Sequence, residues 1–125
     1  MNISDAEWQV MQIVWKHKSV TAADVIDQLA PGTRWSHRTI RTLLARLVEK
    51  GALTTIAEGK RYIYRAVISR SKCVKEESRS FLKRVFCGDA TELLVHFAQD
   101  AGITPEQIDE LKQFLNDKQK RENGQ

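Results

Sequence analysis

Arginine and threonine side chains recur along one segment of this 125-residue sequence in a pattern suited to contacts with duplex nucleic acid. Arginine can bond a guanine edge or a phosphate through two N–H groups, and threonine offers a hydroxyl and a methyl group. The apolar residues of the segment recur at helical spacing and predict a helix, from Ser36 to Gly51, that buries one side. The DNA-facing residues predicted for the opposite side are Arg38, Thr39, Arg41, Thr42 and Arg46.

The stretch from residue 33 to residue 65 is strongly cationic. Eight of its residues are Lys or Arg and two are Glu, so it carries +6 in a chain whose net charge is +4. The rest of the chain is therefore net acidic. A cationic segment on an acidic chain is expected of a protein that binds duplex nucleic acid, although a solvated charged face has the same composition. The mixture of Arg and Thr favours binding, because a face built for solubility more often mixes Glu and Lys.

After Gly51 the periodicity changes from helical to alternating. Residues 53–56 and 61–65 predict two short strands, and Gly59 supplies the permissive backbone of the connection between them. The segment is therefore predicted to form a basic β-hairpin directly after the DNA-facing helix.

Four side chains of this hairpin are candidates for contact with nucleic acid. Lys60 and Arg61 lie at its tip and are predicted to contact phosphates. Tyr62 and Tyr64 share one side of the second strand, and packing onto the helices is the role predicted for both. A hydrogen bond from a tyrosine hydroxyl to a phosphate is the alternative.

Two further helices are predicted before the basic one. Ser4 with Glu7, and Thr21 with Asp24, have the spacing of N-terminal caps, and Pro31 with Gly32 ends the second helix. Three helices followed by a small basic hairpin describe a winged helix-turn-helix. In that fold the third helix enters the major groove, and the hairpin, or wing, touches the flanking backbone.

The remaining chain predicts more helices, so the fold class is mainly α. We assign residues 1–68 to the winged-helix domain and residues 69–125 to a helical dimerisation domain. The helices of the second domain carry more apolar surface than so small a unit can bury, and a second copy of the chain would cover it. Packing against the N-terminal domain is the alternative. The predicted dimerisation residues are Phe81, Leu82, Val85, Leu94, Phe97, Ile108, Leu111 and Leu115.

Several classes of function are disfavoured by the sequence. No nucleophile–base set, glycine-rich phosphate loop or metal-ligand spacing is present, so we expect neither an enzyme nor a bound metal or cofactor. Cys73 and Cys87 are predicted to be ordinary helix residues without a disulfide. No apolar run approaches the roughly 18 residues of a membrane span, and a cytoplasmic location is expected.

Four stretches of the sequence resemble the penicillinase repressor family. They are residues 3–15, residues 35–47, which contain the string Trp-Ser-x-x-Thr-Ile, residues 50–53, and residues 58–64. The family contains repressors of β-lactamase and methicillin-resistance genes and also repressors of copper-transport operons. The resemblance implies a dimer that occludes its promoter at a palindromic operator until a signal releases it.

Two departures from the family pattern bear on the signal. The copper-responsive branch carries a C-terminal Cys-x-Cys motif, and this chain has no cysteine after Cys87, which removes the thiolate ligands that Cu(I) selects. In the β-lactam branch a sensor-linked protease cuts an Asn-Phe bond in the dimerisation domain. The matching position is His96-Phe97, a candidate cleavage site that keeps only the phenylalanine.

Two other interpretations of the sequence remain open. One is a repressor that responds to a metal or a small molecule bound by the dimer. The other is a winged-helix module for protein–protein contact, which would carry an exposed apolar patch on its third helix in place of arginines and threonines.

Overall fold

The computed structural model describes residues 1–124 and is mainly helical, as the periodicity predicts. The described part contains six α-helices, a short 3₁₀ turn and a small antiparallel sheet. In chain order the elements are α1 (Asp5–His17), β1 (Ser19–Val20), α2 (Ala22–Leu29), the 3₁₀ turn (Ala30–Gly32), α3 (His37–Glu49), β2 (Leu53–Glu58), β3 (Arg61–Ala66), α4 (Arg70–Phe86), α5 (Ala90–Asp100) and α6 (Pro105–Gly124).

Reciprocal side-chain caps set the starts of α1 and α2. The Ser4 hydroxyl accepts from the Glu7 N–H at 3.2 Å, and the Glu7 carboxylate accepts from the Ser4 N–H at 2.8 Å. Thr21 and Asp24 form the same pair at α2, at 3.1 Å and 2.9 Å. Both predicted N-terminal caps are confirmed, and each is a reciprocal capping box that satisfies amide groups left without partners in the first helical turn.

The sheet has three strands, with β3 between β1 and β2. The hairpin is longer than predicted, because its pairing runs from Leu53 opposite Ala66 to Glu58 opposite Arg61. The third strand, β1, was not predicted: its two residues are too few to display alternation, and only pairing with β3 makes them a strand.

One hydrophobic core joins the first three helices to this sheet. The helical stripe predicted for α3 is confirmed, since Ile40, Leu43, Leu44 and Leu47 are all buried. The indole N–H of Trp15 donates to the carbonyl of Ile68 at 2.9 Å and ties α1 to the segment after β3. The solvent side of α3 therefore stands on a packed scaffold.

A partly buried ion pair links the start of α1 to the end of α3. Glu7 is only 2% exposed, and its carboxylate accepts a 2.6 Å bond from the Lys50 ammonium, which also donates to the Asn2 carbonyl at 2.7 Å. Burial by itself raises the pKa of Glu7. The hydrogen bonds from Lys50 and Ser4 and the Lys50 charge outweigh burial, so this pKa lies below its ordinary value.

Lys50→Met is expected to reduce the free energy of unfolding by about 2–3 kcal/mol, because it leaves the Glu7 carboxylate buried without its cation. This value lies below the usual range for a buried pair since the Lys50 side chain is 36% exposed. Urea denaturation at neutral pH measures the effect. The double variant Glu7→Gln with Lys50→Met should recover much of the stability, and simple additivity of the two changes would contradict the coupling of the two residues.

The pH dependence of the same pair has a definite sign. A carboxyl whose folded pKa is lowered stabilises the fold at pH values above its ordinary pKa, and this contribution disappears as the pH falls through the lowered value. The difference in stability between the wild type and Lys50→Met should therefore shrink as the pH falls below the ordinary pKa of a carboxyl group, and disappear below the lowered pKa of Glu7. A constant difference between them down to strong acid would exclude Glu7 as the origin.

Chain contacts divide the molecule into two compact units, one from Met1 to Ser78 and one from Arg79 onward. Cys73, near the start of α4, is buried in the core of the first unit, and burial raises the pKa of its thiol. Cys87 lies one residue beyond α4 with φ +51°, so it is not the helix residue predicted for that position. The boundary between the winged-helix domain and the dimerisation domain, placed between residues 68 and 69 from the sequence, stays a prediction.

Candidate nucleic-acid interface

The solvent side of α3 presents the residues predicted to face DNA. At 3.6 residues per turn, Arg38, Thr42 and Ala45 lie within about 60° of one another, directly opposite the buried stripe. Arg41 flanks this central row on one side and Arg46 on the other. All five side chains are exposed, so the helix offers small residues between long cations, and this shape allows it to approach a groove floor closely.

The two threonine hydroxyls of α3 are not equivalent. Thr39 belongs to the helix cap: its N–H donates to the Ser36 hydroxyl at 3.1 Å, and the two hydroxyl oxygens are 3.1 Å apart. Thr42 donates its hydroxyl proton to the carbonyl of Arg38 at 3.0 Å. The outward groups left at Thr42 are therefore a methyl group and oxygen lone pairs, which suit a thymine methyl or an amino group on a base edge.

The wing is a tight hairpin with its cations at the tip. Glu58 pairs with Arg61, so Gly59 and Lys60 alone form the turn, and Gly59 has φ +65°, which favours glycine. Lys60 and Arg61 are exposed, as expected of groups that contact a backbone.

A cavity of about 300 Å³ lies between the wing and the helices, and it brings together three of the predicted residues, Arg41, Lys60 and Arg61. The other residues of α3 that were predicted to face DNA lie outside this cavity; they are Arg38, Thr39, Thr42 and Arg46. The lining residues are Thr21, Ala22, Ala23, Arg41, Lys60, Arg61, Tyr62 and Tyr64.

The cavity is electrostatically positive. None of its three cations forms a salt bridge with a carboxylate in the described part of the chain. Glu58 lies opposite Arg61 across the hairpin. Asp24 is also influenced by this cation, since its pKa is lowered mainly by hydrogen bonds from the Thr21 N–H and hydroxyl and to a smaller extent by the Arg61 charge. Arg41, Lys60 and Arg61 are thus free to bind an external anion.

One part of this site was not foreseen from the sequence. Both tyrosines line the cavity, but only Tyr64 packs against the core as predicted. The packing predicted for Tyr62 is wrong, because its side chain is 61% exposed. Ala22 and Ala23 were not singled out either, although their small side chains leave the cavity open on the α2 side. Alternation along β3 places both tyrosines on one face and does not reveal where along that face the core ends.

A second cavity, of about 420 Å³, has a different character. It is lined by His17, Ser19, Val20, Asp24, Asp27 and Gln28, and the His17 and Gln28 side chains meet at 2.9 Å. Its carboxylates disfavour a nucleic-acid ligand. Within residues 1–124 there is no group of three or more His, Cys, Asp or Glu side chains that could hold a metal ion. None of the described helices is both long enough and apolar enough to cross a membrane.

Comparison with known proteins places this arrangement in a family. A family model described as penicillinase repressor matches residues 3–117. The chain belongs to the penicillinase repressor family. The penicillinase repressor of Bacillus licheniformis is 38% identical over 119 residues, which cover 95% of this chain and 93% of that protein. The methicillin resistance regulatory protein MecI of Staphylococcus aureus (strain N315) is 33% identical over 116 residues, which cover 93% of this chain and 94% of MecI.

A solved structure extends the comparison to the winged-helix domain of the family. The monomeric form of Bacillus licheniformis BlaI, in complex with the blaP half-operator, is 44% identical with a TM-score of 0.52. The match covers 57% of this chain and 87% of that chain. The winged-helix fold is thereby confirmed. The two relatives named above are regulators and not enzymes, in agreement with the prediction from the sequence that this family member is not an enzyme.

The second unit of this family member exposes most of the residues predicted for dimerisation. No described residue from Arg79 onward is buried. Phe81 and Leu82 are half-buried, while the other six predicted residues are exposed. The exposed six are Val85, Leu94, Phe97, Ile108, Leu111 and Leu115.

The candidate cleavage site lies within α5. Phe97 is 46% exposed, and the His96 ring lies beside the Phe86 ring with centroids 5.7 Å apart and the ring planes tilted by 51°. The two ring nitrogens of His96 lie 4.0 Å from Glu92 and 3.9 Å from Asp100, one helical turn away on either side. The side chains on both sides of the His96–Phe97 peptide bond are therefore accessible from solvent, although the backbone there is helical.

Proposed function

We propose that this protein is a sequence-specific DNA-binding transcriptional repressor. The observation that carries the proposal is the solvent side of α3, where exposed arginines and threonines stand opposite a fully packed stripe. A winged-helix module for protein–protein contact would need an apolar patch there. BlaI, which shares 44% of its residues in this region, binds the blaP half-operator, and this supports the same role here.

The residues divide into base-reading and phosphate-binding groups according to their position on the helix. Arg38 and Thr42, in the central row, would face the floor of the major groove and read base edges. Arg41 and Arg46 flank that row and would reach the two phosphate backbones, with Arg41 acting beside Lys60 and Arg61 of the wing. Thr39 would support the helix start, because its backbone N–H is held by Ser36.

A homodimer on a palindromic operator is the assembly we propose. The second unit has no buried residue of its own in the described chain and exposes apolar side chains on α5 and α6, which a second copy would cover. Two-fold symmetry would present two copies of α3 to half-sites about 34 Å apart, one helical turn of DNA. Occupancy of such a site would occlude the promoter.

Release from the operator is proposed to follow cleavage at His96-Phe97 by a sensor-linked protease in response to a cell-wall antibiotic. Three features support this site: Phe97 is exposed, α5 has no buried side chain to hold it in place, and both MecI and penicillinase repressors are relatives. A protease needs an extended backbone, and a helix held by few tertiary contacts opens locally at low cost. Cleavage there would separate α6 from the rest of the dimer contact.

A reporter gene behind the protein's own upstream DNA tests the proposal in the source cells. Deleting the protein is expected to raise expression, and a β-lactam is expected to raise expression while an antibody detects a fragment that ends near residue 96. Untreated cells are the control. Reporter expression that does not change on deletion of the protein would contradict the repressor role. Repression that β-lactam leaves intact, with the full-length chain unchanged, would contradict cleavage and favour a metal or small-molecule inducer.

A further inference from the structure

Two tyrosines on the same face of β3 have different surroundings. Tyr64 is half-buried against the core, opposite Thr55 of β2, whereas Tyr62 is 61% exposed opposite Ala57. Packing accounts for Tyr64. It does not account for a phenol ring that remains mostly in solvent near the tip of the wing.

The surroundings of Tyr62 are those of an anion site. The ring lines the 300 Å³ cavity together with Arg41 from α3, with Lys60 and Arg61 from the wing, and with the half-buried Tyr64. Such a volume corresponds to about ten water molecules, enough for a phosphate group with part of its hydration. The cavity lies between the helix proposed to enter the groove and the wing proposed to follow the backbone, which is where a DNA strand would pass.

We infer that the Tyr62 hydroxyl donates a hydrogen bond to a non-bridging oxygen of one backbone phosphodiester, which Arg41 and Lys60 hold in this cavity. The inference rests on the proposed function, since it assigns a residue and a ligand atom within that DNA contact. A phenol adds a directional donor without adding charge. Its contribution therefore differs from that of the neighbouring cations in how it responds to salt.

Tyr62→Phe removes only the hydroxyl. Thr54→Val is the matched control, because it removes a hydroxyl from the other face of the same hairpin, outside the cavity. On a half-site duplex from the upstream DNA, Tyr62→Phe is expected to weaken binding about tenfold, the effect of removing a hydrogen bond to a charged acceptor. The slope of log affinity against log salt should stay at the wild-type value, because the protein keeps all of its charges. Thr54→Val should bind as the wild type does. Equally weakened binding in both variants, or unchanged binding in Tyr62→Phe, would overturn the inference.

A scan of single methylphosphonates in the duplex locates the phosphate. One position should weaken the wild type about tenfold more than it weakens Tyr62→Phe, because the variant already lacks the tyrosine bond and loses only the contacts of Arg41 and Lys60. Equal sensitivity of both proteins at every position would overturn the assignment. Phosphate contacts carry no sequence information, so the comparison on a random duplex decides the Tyr62 contact even if the wild type shows no operator preference. A missing Tyr62 contact and a missing operator preference therefore give different results.

Inorganic phosphate distinguishes a DNA strand from a free phosphorylated ligand. Titrated into the free protein at constant ionic strength, it is expected to cause no saturable shift of the Tyr62 ring signals in the NMR spectrum at millimolar concentrations. Saturation at micromolar concentrations would assign the cavity to a free ligand and overturn the inference.

Discussion

Arg38→Ala is expected to weaken binding to a palindromic operator by about 2–6 kcal/mol, because a base-reading arginine worth about 1–3 kcal/mol is removed from each of two half-sites. Arg38 occupies the central row of the solvent side of α3, and its side chain forms no salt bridge with any described carboxylate. The free energy of unfolding should be unchanged, since the side chain is exposed. Titration of operator and random duplexes measures both affinity and specificity.

Lys60→Ala is the matched control for that experiment, since it removes one positive charge from the wing. It should weaken binding to operator and random DNA by similar factors and lower the salt slope by about 0.9 for each phosphate that the protein no longer neutralises. Arg38→Ala should instead reduce the ratio of operator binding to random binding. Identical behaviour of the two variants toward both duplexes would contradict the division into base-reading and phosphate-binding residues.

Leu111→Asp is expected to convert the protein to a monomer and to lower affinity for a full operator by about 10²–10⁴-fold, because the second half-site no longer binds at a high effective concentration. Leu111 is 41% exposed on α6, on the same side as Ile108 and Leu115. An exposed leucine contributes little to the fold of an isolated chain, so a large effect must come from a partner. Analytical ultracentrifugation gives the oligomeric state, and titration of a full operator gives the affinity.

Asn116→Asp introduces the same negative charge about 140° around α6 from Leu111 and serves as the control. It should leave both the dimer and operator affinity intact, while Leu111→Asp should still bind a half-site duplex as the wild-type monomer does. A Leu111→Asp protein that remained dimeric would show that the exposed apolar side of α6 is not the interface.

Local signals in the sequence predict the scaffold of the site well. The capping pairs Ser4–Glu7 and Thr21–Asp24 act over three residues, and the buried stripe of α3 follows from helical geometry alone. Because the buried side of α3 is determined in this way, the outward position of Arg38 and Thr42 follows as well.

Features that depend on contacts distant in sequence were not predictable in the same way. The strand β1 exists because Ser19 and Val20 pair with Arg65 and Tyr64, more than forty residues away. The cavity likewise needs Ala22, Arg41 and Lys60 to meet across three elements. Whether the Tyr62 side chain is buried or exposed depends on where the core ends along β3, and the alternating pattern of the strand does not indicate that point.

Sequence-specific binding by the dimer is the central claim, and one titration tests it most directly. The purified full-length protein is titrated into labelled DNA from its own upstream region, with excess random competitor and across a series of salt concentrations. We expect a tight complex that contains two protein chains and resists competitor, with the logarithm of the affinity falling linearly with the logarithm of the salt concentration. Weak binding that competitor and moderate salt both abolish would contradict it, and the surface of α3 would then be a nonspecific cationic patch.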